Sequence, residues 1–120
     1  MKSIFVTNHF KFIDRLVLKK RKEIANIINY QLKNVEIIDA LDIGSTNDDD
    51  FESSNFLIKN INNVKFYKSI SNQVIVDKFF SSKLTKSITD ELSKEEVDKF
   101  KSDLVISNAT IEHVGSLKNQ

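Results

Sequence analysis

Residues 35 to 43 limit the possible folds more than any other stretch of this chain. Val35, Ile37, Ile38, Ala40, Leu41 and Ile43 form a nearly continuous apolar run of strand length. A strand wetted on one side alternates apolar and polar residues, whereas a strand covered on both faces reads as an unbroken apolar run. The run therefore predicts a central strand in a sheet with packing on both sides. It ends in Asp42-Ile43-Gly44-Ser45-Thr46-Asn47-Asp48-Asp49-Asp50, a turn-forming stretch with one glycine and four acids.

The neighbouring segments fit such a sheet. From about Phe12 to Lys33, Ile13, Leu16, Val17, Ile24, Ile27, Ile28 and Leu32 recur at spacings of three and four, the pattern of a leading helix with one buried face. Lys19, Lys20, Arg21 and Lys22 fall on its other face and read as solvated surface. After the turn, a short helix through Phe56-Leu57-Ile58 is followed by a second strand over residues 64–69. A helix is expected over residues 73–80, presenting Val76, Phe79 and Phe80, and then a short third strand over residues 84–88. Ser93-Lys94-Glu95-Glu96 is a capping box opening another helix, with Leu92 and Val97 placed as a hydrophobic staple. A fourth strand over residues 103–107 and a helix from about Ile111 close the chain. Strands alternating with helices predict an α/β fold, a three-layer sandwich around a mostly parallel sheet.

Composition narrows the function by exclusion. The chain has 120 residues, 40% hydrophobic and 29% charged, with a net charge of +1. That length fits one domain or part of one, and that charge gives no general attraction to nucleic acid or to an anionic membrane. With no cysteine there is no thiolate nucleophile, disulfide or Cys-based zinc site. A reducing, cytoplasmic setting is expected, since the start shows no signal-peptide pattern and no apolar run approaches membrane-spanning length. Proline is absent and glycine occurs only as Gly44 and Gly115.

In open parallel sheets ligands bind beyond the carboxyl ends of the strands, so candidate residues are sought there. Gly44 allows close approach of a ligand to the backbone, Asp42 offers a carboxylate, and Ser45 and Thr46 add donors. The same residues serve equally well as a tight turn in which Asp42 is a capping acceptor. Neither glycine-rich phosphate-binding pattern occurs. After the third strand, Ile88 could lie against a ligand ring while Asp90 meets its polar edge; otherwise Thr89 and Asp90 start a turn. After the fourth, Asn108 can present an amide and Ala109 leaves room. Glu112 and His113 follow on the first turn of the last helix, as candidate catalytic residues or as a helix-capping and packing pair. They have no third metal ligand and no nucleophile beside them.

Together EIIDALDIGSTND, LTKSITDEL and SDLVISNATIEHVGS resemble the class I S-adenosylmethionine-dependent methyltransferases over nearly the whole chain. The likeness implies a Rossmann-like methyltransferase fold, here cut off after its fourth strand. It implies that Asp42, Gly44, Ser45 and Thr46 hold the methionine part of the cofactor and that Ile88, Thr89 and Asp90 border the adenine. Asn108 and Ala109 would line the transfer pocket, and Glu112 and His113 would face the substrate or brace the helix. The tips at Gly44, Thr89 and Asn108 are expected to converge on one hollow.

The chain departs from the family in three ways. Its first loop reads Asp42-x-Gly44-x-Thr46-x-Asp48 in place of D-x-G-x-G-x-G. The acid that usually accepts the ribose hydroxyls is missing after the second strand, where Ser69, Ser71, Asn72 and Gln73 are the available replacements. The family also continues beyond a fourth strand, so residues 1–120 are expected to be the N-terminal cofactor-binding part of a longer enzyme. The expected activity is methyl transfer from S-adenosyl-L-methionine to a small molecule or glycan, without a metal. The alternatives are a non-catalytic Rossmann-like binding or dimerisation module and a dinucleotide or nucleotide-sugar oxidoreductase.

Overall fold

The computed structural model describes residues 8–47, 53–87 and 89–107. Along the chain lie α1 (Asn8–Gln31), β1 (Ile37–Ile43), α2 (Phe56–Lys59), β2 (Val64–Ser71), β3 (Ser82–Thr85), α3 (Lys94–Phe100) and β4 (Leu104–Ile106). The four strands form one sheet in the order β3-β2-β1-β4, every neighbouring pair parallel. The α/β class and the parallel sheet are thus as the sequence indicates. β1 is an interior strand, paired with β2 on one side and β4 on the other. Its consecutive residues Ala40, Leu41 and Asp42 are all buried, as expected of a strand covered on both faces, whereas Ile38 near its start and Val35 before it are exposed.

Successive side chains of a strand point to opposite faces, and two clusters result. Ala40 joins Ala25 of α1, Leu57 and Ile58 of α2, and Ile61, Ile75, Phe80 and Ile106. Leu41 joins Ile70 and Phe100 of α3, with Ile43 and Leu84 packed against them. Ile58 and Ile61 are almost wholly removed from water, each contributing about 1.5–3 kcal/mol of burial energy.

The leading helix forms where expected but is rotated. Among its described side chains Leu18 and Ala25 are buried, while Ile13, Leu16, Ile24 and Ile27 face outward. Polar anchors set the rotation. Asp14 accepts bonds from the hydroxyl and the amide of Ser53, and Arg21 donates to the Ser53 carbonyl. Further along, Asn29 donates to the Asn60 carbonyl and accepts from the Asn62 amide, both at 2.8 Å. Arg21 is therefore half-buried and turned toward the fold, unlike the solvated reading of its basic run.

No helix forms over residues 73–80. Val74, Ile75 and Val76 are β-branched and poor helix formers, and their polar groups find other partners. The Asn47 side chain donates to the Val74 carbonyl at 2.6 Å and accepts from the Val76 amide at 3.0 Å. Asp77 accepts from the Phe79 amide at 2.9 Å. Buried Ile75 and Phe80 anchor the segment, and Phe79 lies 4.3 Å from Tyr67 between ring centroids.

The third strand begins and ends earlier than expected, at Ser82–Thr85. At α3 the capping box is formed: Ser93 Oγ accepts from the Glu96 amide and Glu96 accepts from the Ser93 amide. Leu92 and Val97 stay largely exposed, so the staple buries little. Lys86 pairs with Glu96 at 2.8 Å near the start of α3. At the other end Lys68 of β2 donates to the carbonyls of Lys99, at 2.8 Å, and Lys101, at 3.4 Å, where the helix dipole favours a cation. The expected closing helix lies outside the described residues.

Candidate functional site at the carboxyl end of the central strand

The chain runs β1, β2, β3 toward one edge of the sheet and then places β4 on the opposite side of β1. Where consecutive connections leave in opposite directions, their loops separate and open a crevice beyond the strand ends. That switch lies between β1 and β4, at the end of β1 that carries Asp42, Ile43 and Gly44. Gly44 has φ 94°, a conformation in which a side chain is strongly disfavoured. Its amide bonds to the Ile70 carbonyl at 2.8 Å.

Asp42 is buried between register partners Ser69 of β2 and Ile106 of β4. Ser69 Oγ donates to Ser45 Oγ at 2.9 Å, and Ser45 Oγ donates to Asp42 Oδ2 at 2.5 Å. This relay of hydroxyls ends on the carboxylate. Burial raises the Asp42 pKa above its ordinary value, opposed by the Ser45 hydrogen bond and by the charge of Arg21. The last residue of β2 joins the same cluster, Ser71 Oγ donating to the Ser45 carbonyl at 2.7 Å.

The loop beyond Ser45 is held by two asparagines. The Thr46 amide donates to Asn55 Oδ1 at 3.0 Å and Asn55 Nδ2 donates back to the Thr46 carbonyl at 2.7 Å. This double bond imitates the pairing of one strand with another. Asn55 itself has φ 56°, a region asparagine tolerates better than most residues. The amide of Asn47 donates to Gln73 Oε1 at 3.3 Å, while its side chain holds the 74–76 backbone. The turn after β1 is therefore bound to the end of β2 and to the segment leading into β3.

The structure brings Asp42, Gly44, Ser45 and Thr46 together at the tip of β1. Thr89 and Asp90 are exposed and follow β3, the edge strand, with β2 between them and β1. Thr89 Oγ1 lies 2.9 Å from Ser87 Oγ, and the Asp90 amide donates to the Ser87 carbonyl at 3.0 Å, which is turn geometry. Ile88, Asn108, Ala109, Glu112 and His113 lie outside the described residues. Of the conceivable replacements for a ribose acid, Ser69 and Ser71 point into the buried cluster, Gln73 is engaged with Asn47, and Asn72 is exposed.

Sequence reasoning did not assign Arg21, Asp14, Asn47, Ser53 or Asn55 to this region. The first two have a legible signal, since positions 14, 18, 21 and 25 share one side of a 3.6-residue helix. The asparagines have none, because their partners are backbone groups of distant segments. Among the described residues no cluster of three or more His, Cys, Asp or Glu could hold a metal ion, and no helix is long and apolar enough to cross a membrane. No protein-family model, curated protein or solved structure matches the chain.

Proposed function

We propose that this chain is the cofactor-binding part of an S-adenosylmethionine-dependent methyltransferase acting on a small-molecule or glycan acceptor. The observation that carries the reading is the coincidence of Gly44, at φ 94°, with the β1–β4 switch point of a β3-β2-β1-β4 parallel sheet. It combines a backbone free of side-chain bulk with the position in a parallel sheet where ligand crevices generally form, as a bound adenosyl group needs. The side of β1 packed on α1 and α2 and the side packed on Phe100 of α3 support the full three-layer, Rossmann-like arrangement.

In this reading the turn formed by Asp42, Gly44, Ser45 and Thr46 borders the methionine end of the cofactor through close approach at Gly44, with Arg21 supplying positive charge near Asp42. Methyl transfer is an in-line displacement in which the protein contributes positioning and electrostatics. Asn108 and Ala109 are proposed to line the transfer pocket. Ile88, Thr89 and Asp90 are proposed for the adenine, and Glu112 and His113 for the acceptor side.

One observation favours a second reading, a non-catalytic α/β binding or dimerisation module. The hydroxyls of Ser45, Ser69 and Ser71 are already hydrogen-bonded within the fold, and residues 69–73, where the family commonly has a ribose-binding acid, include none. Calorimetric titration with S-adenosylmethionine and, separately, with NAD distinguishes the classes. Saturable heat with the first and none with the second is expected; heat with NAD alone indicates a redox enzyme, and heat with neither indicates the module.

A further inference from the structure

Apart from its backbone carbonyl, every polar group of Asn47 is engaged by residues 73–76. Its Nδ2 donates to the Val74 carbonyl at 2.6 Å and its Oδ1 accepts from the Val76 amide at 3.0 Å. A side-chain amide has two N–H donors. The second of them and the Asn47 backbone amide meet on a single oxygen, Gln73 Oε1, at 3.4 and 3.3 Å.

The clasped segment is lightly held otherwise. Val74 and Val76 are 68% and 74% exposed, and only Ile75 between them is buried. The bonds to Asn47 themselves lie at the surface. A stretch with one buried side chain and solvent-exposed hydrogen bonds opens at low cost while the rest of the fold stays intact. The inner half of the turn after β1 is tied more firmly, through the Gly44 amide to the Ile70 carbonyl at 2.8 Å and Ser71 Oγ to the Ser45 carbonyl at 2.7 Å.

Within the clasp, the bonds to Gln73 are the ones to yield. They are longer than the usual N–H···O distance of about 2.9–3.0 Å, and their acceptor is a neutral amide on an exposed side chain. An ionised oxygen in the same place makes shorter bonds, roughly twice as strong. The neighbouring amides of Gly44 and Thr46 are committed to Ile70 and Asn55 at 2.8 and 3.0 Å, so the two Asn47 donors are the readiest of this group for an incoming oxygen.

We propose that residues 73–76 are a strap closed by Asn47, and that Gln73 Oε1 is an internal stand-in for a ligand oxygen. Opening of the strap withdraws Gln73 and turns the two Asn47 donors over to a carboxylate. The identity of that ligand rests on the reading of this turn as the methionine end of the cofactor site, whose carboxylate supplies the oxygen; the opening of the strap does not. While the strap is shut the apparent affinity is reduced in proportion to the open fraction.

Two measurements on the full chain test this. In native-state hydrogen exchange followed by NMR, the Asn47 and Val76 amides are expected to exchange together, at least about a hundredfold faster than the Gly44 amide. Gln73→Ala speeds both by a common factor, while Asn72→Ala beside it changes neither. Protection at Asn47 and Val76 equal to that at Gly44, or acceleration confined to Asn47, overturns the strap. Calorimetric titration with S-adenosylmethionine tests the stand-in. Gln73→Ala removes the competing oxygen and is expected to lower the dissociation constant about tenfold, whereas Asn47→Ala raises it. Unchanged or weaker binding to Gln73→Ala overturns the stand-in. No heat from either the unmodified chain or Gln73→Ala overturns the cofactor reading and the stand-in together, while the exchange result still decides the strap.

Discussion

Asp42 and Ser69 stand opposite each other on adjacent parallel strands, and the hydroxyl of Ser45 lies between them, accepting from Ser69 and donating to Asp42. Three side chains from two strands and a turn thus share one chain of protons. Ser45→Ala removes the middle group, leaving the carboxylate without that donor and Ser69 without its acceptor. A loss of about 1–3 kcal/mol is expected, read as a lower urea midpoint with an unchanged slope. Ser69→Ala, which leaves the Ser45–Asp42 bond in place, should cost less.

The buried Asp42 gives stability a definite pH dependence. Its folded-state pKa is raised, chiefly by burial, so the folded chain holds this proton more tightly than the unfolded chain does. Stability from this group is greatest below the unfolded value and falls as pH rises through the window up to the folded one. Asp42→Asn abolishes that dependence. Relative to the unmodified chain, the variant should gain stability as pH rises above the ordinary carboxylate range, in urea titrations at stepped pH. A difference that does not change with pH would contradict the assignment.

Asp77 has the opposite sign. The hydrogen bond from Lys59, then that from the Phe79 amide, hold its pKa below the ordinary value. Its contribution is therefore present above the unfolded pKa and lost as pH falls through the folded one. Asp77→Asn is expected to lower stability slightly at neutral pH and to leave it unchanged in acid, which flattens the acid limb of the thermal stability profile; the effect is small because the pair is partly exposed to solvent.

Gly44→Val introduces a β-branched side chain at φ 94°. The strain should cost about 1–3 kcal/mol, measured by thermal unfolding at a temperature range where the variant remains folded at the start. In the same folded state, heat on titration with S-adenosylmethionine should disappear. Undiminished binding in a folded Gly44→Val variant would remove the turn after β1 from the cofactor site.

The sheet was legible because its signals are local and redundant. The unbroken run ending at Ile43 marks a doubly covered strand, and Ser93 with Glu96 marks a helix start whatever the rest of the chain does. The rotation of α1 was not, because its apolar positions span too wide an arc to choose a single inward side. The choice falls to Asp14 and Arg21, which reach Ser53 far along the sequence. The expected helix after β2 failed for a similar reason, since Asn47 takes the backbone groups of Val74 and Val76 from a distance that no local pattern reveals. At the site, Asp42 and Gly44 announce themselves by residue type. The Ser69-Ser45-Asp42 relay does not, as it depends on the register of β1 against β2.

The attachment of α3 has a consequence for how this chain acquires order. At seven residues the helix is too short to persist alone in water, and lysines anchored outside it hold both its ends, Lys86 beyond β3 and Lys68 within β2. It is therefore expected to form only once the strands carrying those lysines are in place, reporting on assembly of the sheet instead of seeding it. A peptide spanning Leu92 to Asp103 should be a random coil, while the same residues in the intact chain should lose their helical signal together with β2 and β3.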